Sequence, residues 1–216
     1  MITVIPRGVD VEQLNLLADL GPSRNELLDG PGLPPDARII LNVGRHEPQK
    51  GQIYLIEAMS EIWSERPDAA LLVVGRQGNS TNRLHEAVRG LDLGDSVRFL
   101  GPRQDVAGLM RAADVFVFPS LFEGLGVALL EAMALGVPVV ASDIAPMNHI
   151  CEHGHAGFLC EPANPQDLAR AMLQVLDDPD GVADRSQRAR QQIRTGYDIH
   201  QTSSEREQTY LELLKL

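Results

Sequence analysis

The sequence predicts an α/β protein in which a parallel, Rossmann-like sheet of about six strands is covered by helices on both faces. Short apolar runs rich in Val, Ile and Leu alternate along the chain with segments of helical period. This alternation is typical of βαβ units, because a strand buried on both faces is apolar throughout and the crossover to the next parallel strand is a helix. The 216 residues suffice for one substantial core. We therefore expect ligands beyond the carboxyl ends of the strands.

The predicted elements follow one another regularly from residue 37 onward. Apolar runs such as "RIILNV" and "AALLVVG" predict buried strands, at residues 37–43, 70–75, 97–100, 115–118, 137–141 and 157–160. The segments between them predict helices, at residues 52–64, 82–91, 105–112, 127–134 and 166–176. A stretch rich in proline and glycine predicts a linker over residues 30–36. The chain therefore divides into a leading segment with a short helix (1–36), a Rossmann-like domain (37–196) and a C-terminal helix (197–216).

The composition disfavours several classes of partner. Lysine and arginine number 19 against 30 acidic residues, which gives a net charge of −11. A nucleic acid or an anionic membrane surface demands clustered basic residues, so neither is expected. No apolar run reaches the roughly 18 residues of a membrane span, and no basic-then-apolar leader opens the sequence. With two cysteines only, a reduced, cytoplasmic setting is expected.

The most informative segment, residues 116–143, reads "FVFPSLFEGLGVALLEAMALGVPVVASD". It predicts a strand, a glycine turn, a helix and a second strand. Glu123 stands in the turn and Glu131 eight positions later in an otherwise apolar helix, where a carboxylate needs a partner or a ligand. Unpaired N–H groups at a helix start favour an anion, and carboxylates accept hydrogen bonds from sugar or ribose hydroxyls. The segment therefore indicates a site for a ligand with both phosphate and polyol groups.

A second segment, residues 40–59, places two cations on the loop after the first predicted strand. It reads "ILNVGRHEPQKGQIYLIEAM", and its loop carries Arg45 and Lys50. The guanidinium is a planar fork and the ammonium a mobile point charge, which together suit a diphosphate. Taken alone, the two residues are better explained as solvated surface cations, because short motifs have high false-positive rates.

Both segments resemble the retaining glycosyltransferases of family 4, the group 1 enzymes with a GT-B fold. Residues 116–143 match their Glu-x7-Glu motif, and the segment with Arg45 and Lys50 matches their strand, Gly-Arg loop, Lys-Gly and helix. Residues 4–10, "VIPRGVD", are similar to the strand by which such chains lead into their C-terminal domain, although Arg7 stands where the family commonly has Asn. The resemblance runs along the whole chain but covers only half of the family's architecture. It implies that the chain is the C-terminal, donor-binding half of a GT-B enzyme.

The resemblance also implies a role for each site residue. Arg45 and Lys50 would stabilise the departing diphosphate, Glu123 would orient the donor sugar, and Glu131 would hold the ribose hydroxyls. The other donor-binding positions that it implies are Gly44, Gly101, Arg103, Gly124, Leu125 and Gly126. The donor would be a nucleotide diphosphate sugar, with retention of configuration and with no metal or further cofactor.

An N-terminal acceptor domain, on the same chain or on a partner chain, is expected from the same resemblance. In the family the terminal helix packs on that domain. Here the predicted final helix ends in apolar residues: Tyr210, Leu211, Leu213, Leu214 and Leu216. They would contact a partner or a second copy of the chain, or fold onto their own domain. Without an acceptor domain, the chain is alternatively a non-catalytic nucleotide-sugar-binding module.

Two further functions are weighed against the transferase. "GLGVAL" at residues 124–129, followed by Asp143 at the end of the next predicted strand, approximates a dinucleotide fingerprint. Its third glycine is a leucine and it lies in the fourth βα unit, so an NAD-dependent oxidoreductase is disfavoured. Histidines and cysteines also crowd one stretch of the chain, but their spacing matches no strong zinc signature. These residues are His149, Cys151, His153, His155 and Cys160.

Overall fold

A computed structural model describes residues 5–29 and 32–214 of the protein. Within them six strands form one sheet: β1 (Arg38–Val43), β2 (Ala69–Val74), β3 (Val97–Gly101), β4 (Val115–Phe118), β5 (Val139–Ser142) and β6 (Phe158–Cys160). Their spatial order is β3-β2-β1-β4-β5-β6, and every neighbouring pair is parallel. The predicted Rossmann-like α/β fold with a six-stranded parallel sheet is therefore confirmed.

Helices cover both faces of this sheet. They are α1 (Val11–Asp19), α2 (Arg24–Asp29), α3 (Gln52–Glu65), α4 (Thr81–Gly90), α5 (Val106–Ala112), α6 (Val127–Leu135), α7 (Ala145–Ile150), α8 (Pro165–Asp177), α9 (Pro179–Gly196) and α10 (Ile199–Leu213). On one face α3, α4 and α8 pack against the sheet, and on the other face α1, α2, α5, α6, α7 and α9 do so. Successive residues of β1 enter opposite cores, Ile39 and Leu41 on one side and Ile40 on the other.

The sheet reverses its direction of growth between β1 and β4. From β1 the chain moves outward to β2 and β3, and it then returns to the other side of β1 to add β4, β5 and β6. In open α/β sheets, ligands bind beyond the carboxyl ends of the strands at such a reversal. The loops that follow β1 and β4 are the two that carry the predicted site.

Asp114 joins the leading segment to the sheet just before β4. Its carboxylate accepts hydrogen bonds from the Arg24 guanidinium at 2.7 Å, from Arg38 at 3.1 Å and from the backbone N–H of Ile39 at 2.7 Å. The Asp114 side chain is only 16% exposed, so these contacts are poorly replaced by water. Residues of α1 and α2 accordingly share one apolar core with the sheet.

Two local predictions are wrong in the described residues. No helix is predicted between the strands at residues 137–141 and 157–160, but this stretch contains α7, because Pro146 is compatible with a first helical turn and Met147 and Ile150 are buried. The strand expected over residues 4–10 is also absent. Val4 lies outside the described residues, and the rest forms a single parallel bridge, between Val9 and Asp198. Pro6 has no N–H with which to extend that bridge.

The C-terminal part is helical, as predicted. The exposed residues of α10 and its end include Leu211, at 52%, and Leu214, at 82%. Leu216 and the linker residues Gly30 and Pro31 lie outside the described residues. In the described part of the chain, no helix combines the length and the apolar character that crossing a membrane requires.

Candidate functional site

The loops after β1 and β4 contact each other at the carboxyl edge of the sheet. We refer to residues 44–51 as the cation loop and to residues 119–126 as the glycine turn. Gly51 adopts a left-handed conformation, with φ of +64°, and lies against the carbonyl of Pro119, where a side chain would collide with the backbone. The N–H of Leu121 donates to the carbonyl of Gln49 at 2.8 Å. The sequence therefore folds so that its two predicted motifs meet.

Lys50 and Glu123 form an ion pair across this contact. The Lys50 ammonium donates to Glu123 Oε1, and the Ser120 hydroxyl donates to the same oxygen at 3.0 Å. The side chains of Lys50 and Glu123 are only 22% and 12% exposed. The ammonium also lies 5.4 Å from the centroid of the Phe118 ring. The sequence predicts a role for both charged residues but not their pairing. It gives no prediction for Ser120, whose only signal is its position two residues after β4.

Arg45 projects from the same loop toward solvent. Its side chain is 65% exposed, and its Nε lies 3.7 Å from Glu47 Oε1. Glu47 in turn accepts a hydrogen bond of 2.9 Å from the Asn79 side chain. An exposed guanidinium with one distant carboxylate keeps most of its donors available for a phosphate.

The base of the cation loop is held by a buried amide network that the sequence analysis did not anticipate. Gln52 donates from Nε2 to Asn42 Oδ1 at 3.0 Å and to the carbonyl of Gly44 at 3.1 Å. Asn42 donates to the carbonyl of Val117 on β4 at 2.9 Å. An asparagine within the apolar run "IILNV" was the available signal, because a buried amide needs partners.

The glycine turn leads into α6 with an open helix start. Gly126 has a φ of +70°, and a Cβ there would lie 3.0 Å from Met147 Cε and 3.1 Å from Phe118 Cε1. No side chain caps the first turn of α6. At Gly124, by contrast, a Cβ would meet no atom within 4 Å. The backbone N–H groups that begin α6 therefore remain available to an anion at the same edge as Lys50.

Glu131 lies farther along α6 and is half-buried. Burial raises the pKa of its carboxyl group, while the positive charge of Arg7 lowers it in part. No hydrogen bond joins the Glu131 carboxylate to another described residue. A half-buried carboxylate without a donor matches the environment expected of a group that awaits ligand hydroxyls.

The third predicted stretch, at the end of β3, is arranged differently. Gly101 closes the strand with a φ of +66°, and its carbonyl accepts from the N–H of Gly75 at 2.9 Å. The Arg103 guanidinium donates two hydrogen bonds to Asp105, at 2.8 and 2.5 Å. This interaction raises the pKa of Arg103 and lowers that of Asp105. Arg103 is thus already paired with a carboxylate of its own loop.

The crowded histidines and cysteines do not converge. In the described residues, no group of three or more His, Cys, Asp or Glu side chains lies close enough to hold a metal ion. Cys151 and Cys160 are both free and buried, and burial raises the pKa of each thiol to about 12. Both therefore stay protonated at neutral pH and have the low reactivity of buried thiols.

The fold and site together define a doubly wound α/β domain whose topological switch point carries two cations, a paired carboxylate and an uncapped helix start. The family model described as "Glycosyl transferases group 1" matches the chain over residues 23–194. The chain belongs to this family, and its resemblance to the C-terminal half of GT-B enzymes is confirmed.

Individual relatives agree with this assignment. The chain is similar to the UDP-Gal:alpha-D-GlcNAc-diphosphoundecaprenol alpha-1,3-galactosyltransferase of Escherichia coli, with 31% identity over 99% of the chain and 54% of that enzyme. It is similar in structure to Anabaena Alr3699/HepE, solved in complex with UDP and glucose. That likeness has a TM-score of 0.87 and 27% identity, and it covers 97% of this chain and 57% of the other.

A separately solved C-terminal domain provides a third comparison. The C-terminal domain of a group 1 glycosyl transferase, LpcC of Francisella tularensis, superposes with a TM-score of 0.74 over 89% of this chain and 100% of that domain. Because the identity is only 24%, this likeness supports the assignment of the fold alone. The chain spans about half the length of the curated relatives it matches, such as 54% of the Escherichia coli enzyme.

Proposed function

We propose that this chain is the donor-binding half of a retaining glycosyltransferase that transfers a hexosyl group from a nucleotide diphosphate sugar to an acceptor hydroxyl. The observation that carries the proposal is the position of the Lys50–Glu123 pair at the topological switch point, beside the uncapped start of α6. At one edge, a cation and free N–H groups match the diphosphate of such a donor, and a carboxylate matches its sugar hydroxyls. The UDP bound by the Anabaena relative supports the same class of ligand.

The positive charges of Arg45 and Lys50 would stabilise the leaving group of the reaction. When the bond between the anomeric carbon and the diphosphate breaks, its electron pair passes to the diphosphate, which gains negative charge. Arg45 has free donors at the rim, and Lys50 sits on a flexible stem within reach of the same space. Both stabilise the developing charge, because cations in a partly dry site act more strongly than in water.

Glu123 takes a second role when the donor arrives. In the free protein it accepts from Lys50 and Ser120. When the phosphate of a bound donor takes Lys50 as its partner, the hydroxyls of the donor sugar donate hydrogen bonds to the Glu123 carboxylate in place of the ammonium. Glu131, about 7.5 Å along the axis from the Gly126 cap of α6 if five helical rises are counted, is spaced for a different part of the ligand, the ribose hydroxyls. Gly101 and Arg103 would border the base.

The remaining parts of the reaction require protein outside this chain. We propose that an N-terminal domain, in the same protein or in a partner, supplies the acceptor site and closes the cleft over the donor. The exposed apolar end of α10 is available for that contact. The free thiols of Cys151 and Cys160 are in keeping with a reducing cytoplasm.

A non-catalytic nucleotide-sugar-binding module is the second candidate, because donor binding without transfer would use the same edge of the sheet and the same Lys50–Glu123 pair. Turnover separates the two candidates. The transferase predicts that the chain, supplied with an N-terminal acceptor domain, consumes a nucleotide sugar and forms a product with the donor's anomeric configuration, read by NMR. A binding module predicts donor binding without turnover under every such condition.

Titration calorimetry tests donor binding itself. The chain is titrated with UDP, GDP and ADP, alongside Lys50→Ala, Glu131→Ala and, as a control, Glu57→Ala on the exposed part of α3. We expect one nucleotide to bind saturably, with binding lost in the first two variants and kept in the control. Equal binding by all four proteins would contradict the proposed site.

A further inference from the structure

His46 is a buried titratable residue inside the cation loop, and the proposed chemistry gives it no task. It lies between Arg45 and Lys50 in the sequence, yet it is only 2% exposed, whereas the Arg45 side chain is 65% exposed. A buried imidazole is unusual in a polar surface loop, because burial of a titratable group is unfavourable unless its polar atoms form hydrogen bonds.

The backbone of His46 joins the cation loop to the segment after β2, residues 75–81. Its N–H donates to the carbonyl of Arg76 at 3.1 Å, and its carbonyl accepts from the N–H of Ser80 at 2.9 Å. Asn79 of the same segment also donates to Glu47, the residue beside His46. The two segments are thus connected on both sides of the imidazole.

The side chain adds a connection that depends on the protonation state. His46 Nδ1 lies 3.2 Å from Thr81 Oγ1, which itself accepts the N–H of Gly78 at 2.9 Å. The Thr81 hydroxyl has one proton to donate, and Nδ1 is placed to accept it. We assign the ring proton to Nε2 on this network.

The Nε2 side of the ring has no polar partner. Nε2 is buried and makes no hydrogen bond within the described residues. The neighbouring ring is Phe99 on β3, edge to face, with centroids 5.6 Å apart and an interplanar angle of 67°. A neutral N–H without an acceptor in this buried position costs less free energy than a full positive charge would.

The charged groups around His46 do not compensate a positive ring. From α4 it is faced by His85, which also contacts the Phe99 ring of β3, with centroids 4.2 Å apart. Within its own loop, Arg45 and Glu47 are paired with each other. Arg76 contacts it through the backbone carbonyl. Burial, and secondarily the charge of His85, lower the pKa of His46 below its ordinary value of 6.5.

We propose that neutral His46 is a positioning residue, which clamps the cation loop to residues 75–81 and so holds Arg45 and Lys50 in place for the donor. Acid that protonates the ring opens this clamp and lowers donor affinity. The inference rests on the proposed donor site and adds a specific dependence on pH to it.

Binding of UDP-glucose, from about pH 7.5 down to one pH unit below the ring pKa that NMR measures for His46, tests the proposal, because this donor has no phosphate monoester that titrates near pH 6. We compare the wild-type chain with His46→Asn, which keeps an acceptor near Nδ1 but does not titrate, and with His46→Leu, which removes the acceptor. His46→Leu is expected to bind about fivefold more weakly at every pH, the effect of one lost hydrogen bond. The wild type should lose affinity toward acid, whereas His46→Asn should show a smaller loss.

The same pH slope in the wild type and in His46→Asn would overturn the proposal, since Glu131 and the other carboxylates are common to both. His85→Asn controls for the second histidine and should keep the wild-type direction of change. NMR titration of the His46 ring provides a readout without ligand. A ring pKa below 6.5, with backbone shifts in both the cation loop and residues 75–81, supports the clamp, and a ring pKa at or above 6.5 contradicts it. If UDP-glucose does not bind at pH 7.5, the proposed function fails, and this titration still decides on His46.

Discussion

Replacement of Glu123 by glutamine should tighten the binding of UDP while it weakens the selection of the sugar. In the free protein Glu123 holds Lys50 in an ion pair whose partners are 22% and 12% exposed. A nucleoside diphosphate without a sugar must compete with Glu123 for Lys50, and it has no sugar hydroxyl that could donate a hydrogen bond to the Glu123 carboxylate. Glutamine is close to glutamate in size and still accepts from Ser120, but it removes the charge that competes for Lys50.

The magnitude follows from the contacts that change. One charge-assisted hydrogen bond in a partly buried setting is worth about 1.5–3 kcal/mol gross, and part of it returns when Lys50 binds the phosphate. A net gain of about 1 kcal/mol in UDP affinity corresponds to about a fivefold lower Kd. UDP-sugar should gain less, because the glutamine accepts more weakly from the sugar hydroxyls than the carboxylate does.

Titration calorimetry with UDP and with UDP-glucose on the wild type and Glu123→Gln provides the comparison. Glu57→Gln on the exposed part of α3 is the matched control, since it makes the same chemical change away from the cation loop. The ratio of the two affinities should shift toward UDP in Glu123→Gln alone. If UDP binds Glu123→Gln more weakly than it binds the wild type, the ion pair does not compete with the phosphate and the reasoning is wrong.

Three further outcomes follow from the packing. Burial raises the pKa of Glu131 above 4.5, so the charged carboxylate destabilises the folded protein at pH 7, and this cost disappears as the pH falls below 4.5. Glu131→Gln should therefore raise the Tm by about 2–4 °C at pH 7, equivalent to about 1 kcal/mol. At pH 4 it should not raise the Tm above that of the wild type. Gly126→Ala should lower the unfolding free energy by about 1–3 kcal/mol in urea, because of its positive φ and close contacts, while Gly124→Ala changes it by less than about 0.5 kcal/mol. Asp114→Ala should lower it by about 2–4 kcal/mol, whereas Asp177→Ala, whose side chain is 60% exposed in its ion pair, should lower it by less than about 1 kcal/mol. Equal losses within either pair would contradict the assigned contacts.

The sheet could be predicted because each strand is buried on both faces and therefore appears as a continuous apolar run. The limits of β4 agree with the prediction at residues 115–118, and those of β1 and β2 differ by one residue. The short helix α7 could not be predicted with the same ease. Its six residues are too few for a periodic signal, and Pro146 is as compatible with a loop as with a first helical turn.

The composition of the site could be predicted, but its connections could not. Motif spacing pointed to Arg45, Lys50, Glu123 and Glu131, and the structure brings Lys50 and Glu123 into contact. That contact depends on β4 lying beside β1, a neighbour relationship that sequence order does not state. Likewise, the residues next to His46 in the sequence do not indicate whether its imidazole is buried or exposed.

The central claim is that a nucleotide sugar binds at the carboxyl edge of the sheet, where β1 and β4 meet. Backbone amide NMR of the chain during titration with UDP-glucose tests it most directly. We predict that the largest shifts cluster in the cation loop, in the glycine turn and at Gly101. Shifts that cluster instead at the opposite edge, in the cavity of about 480 Å³ lined by Arg111, Arg190 and Arg194 among others, would contradict the account.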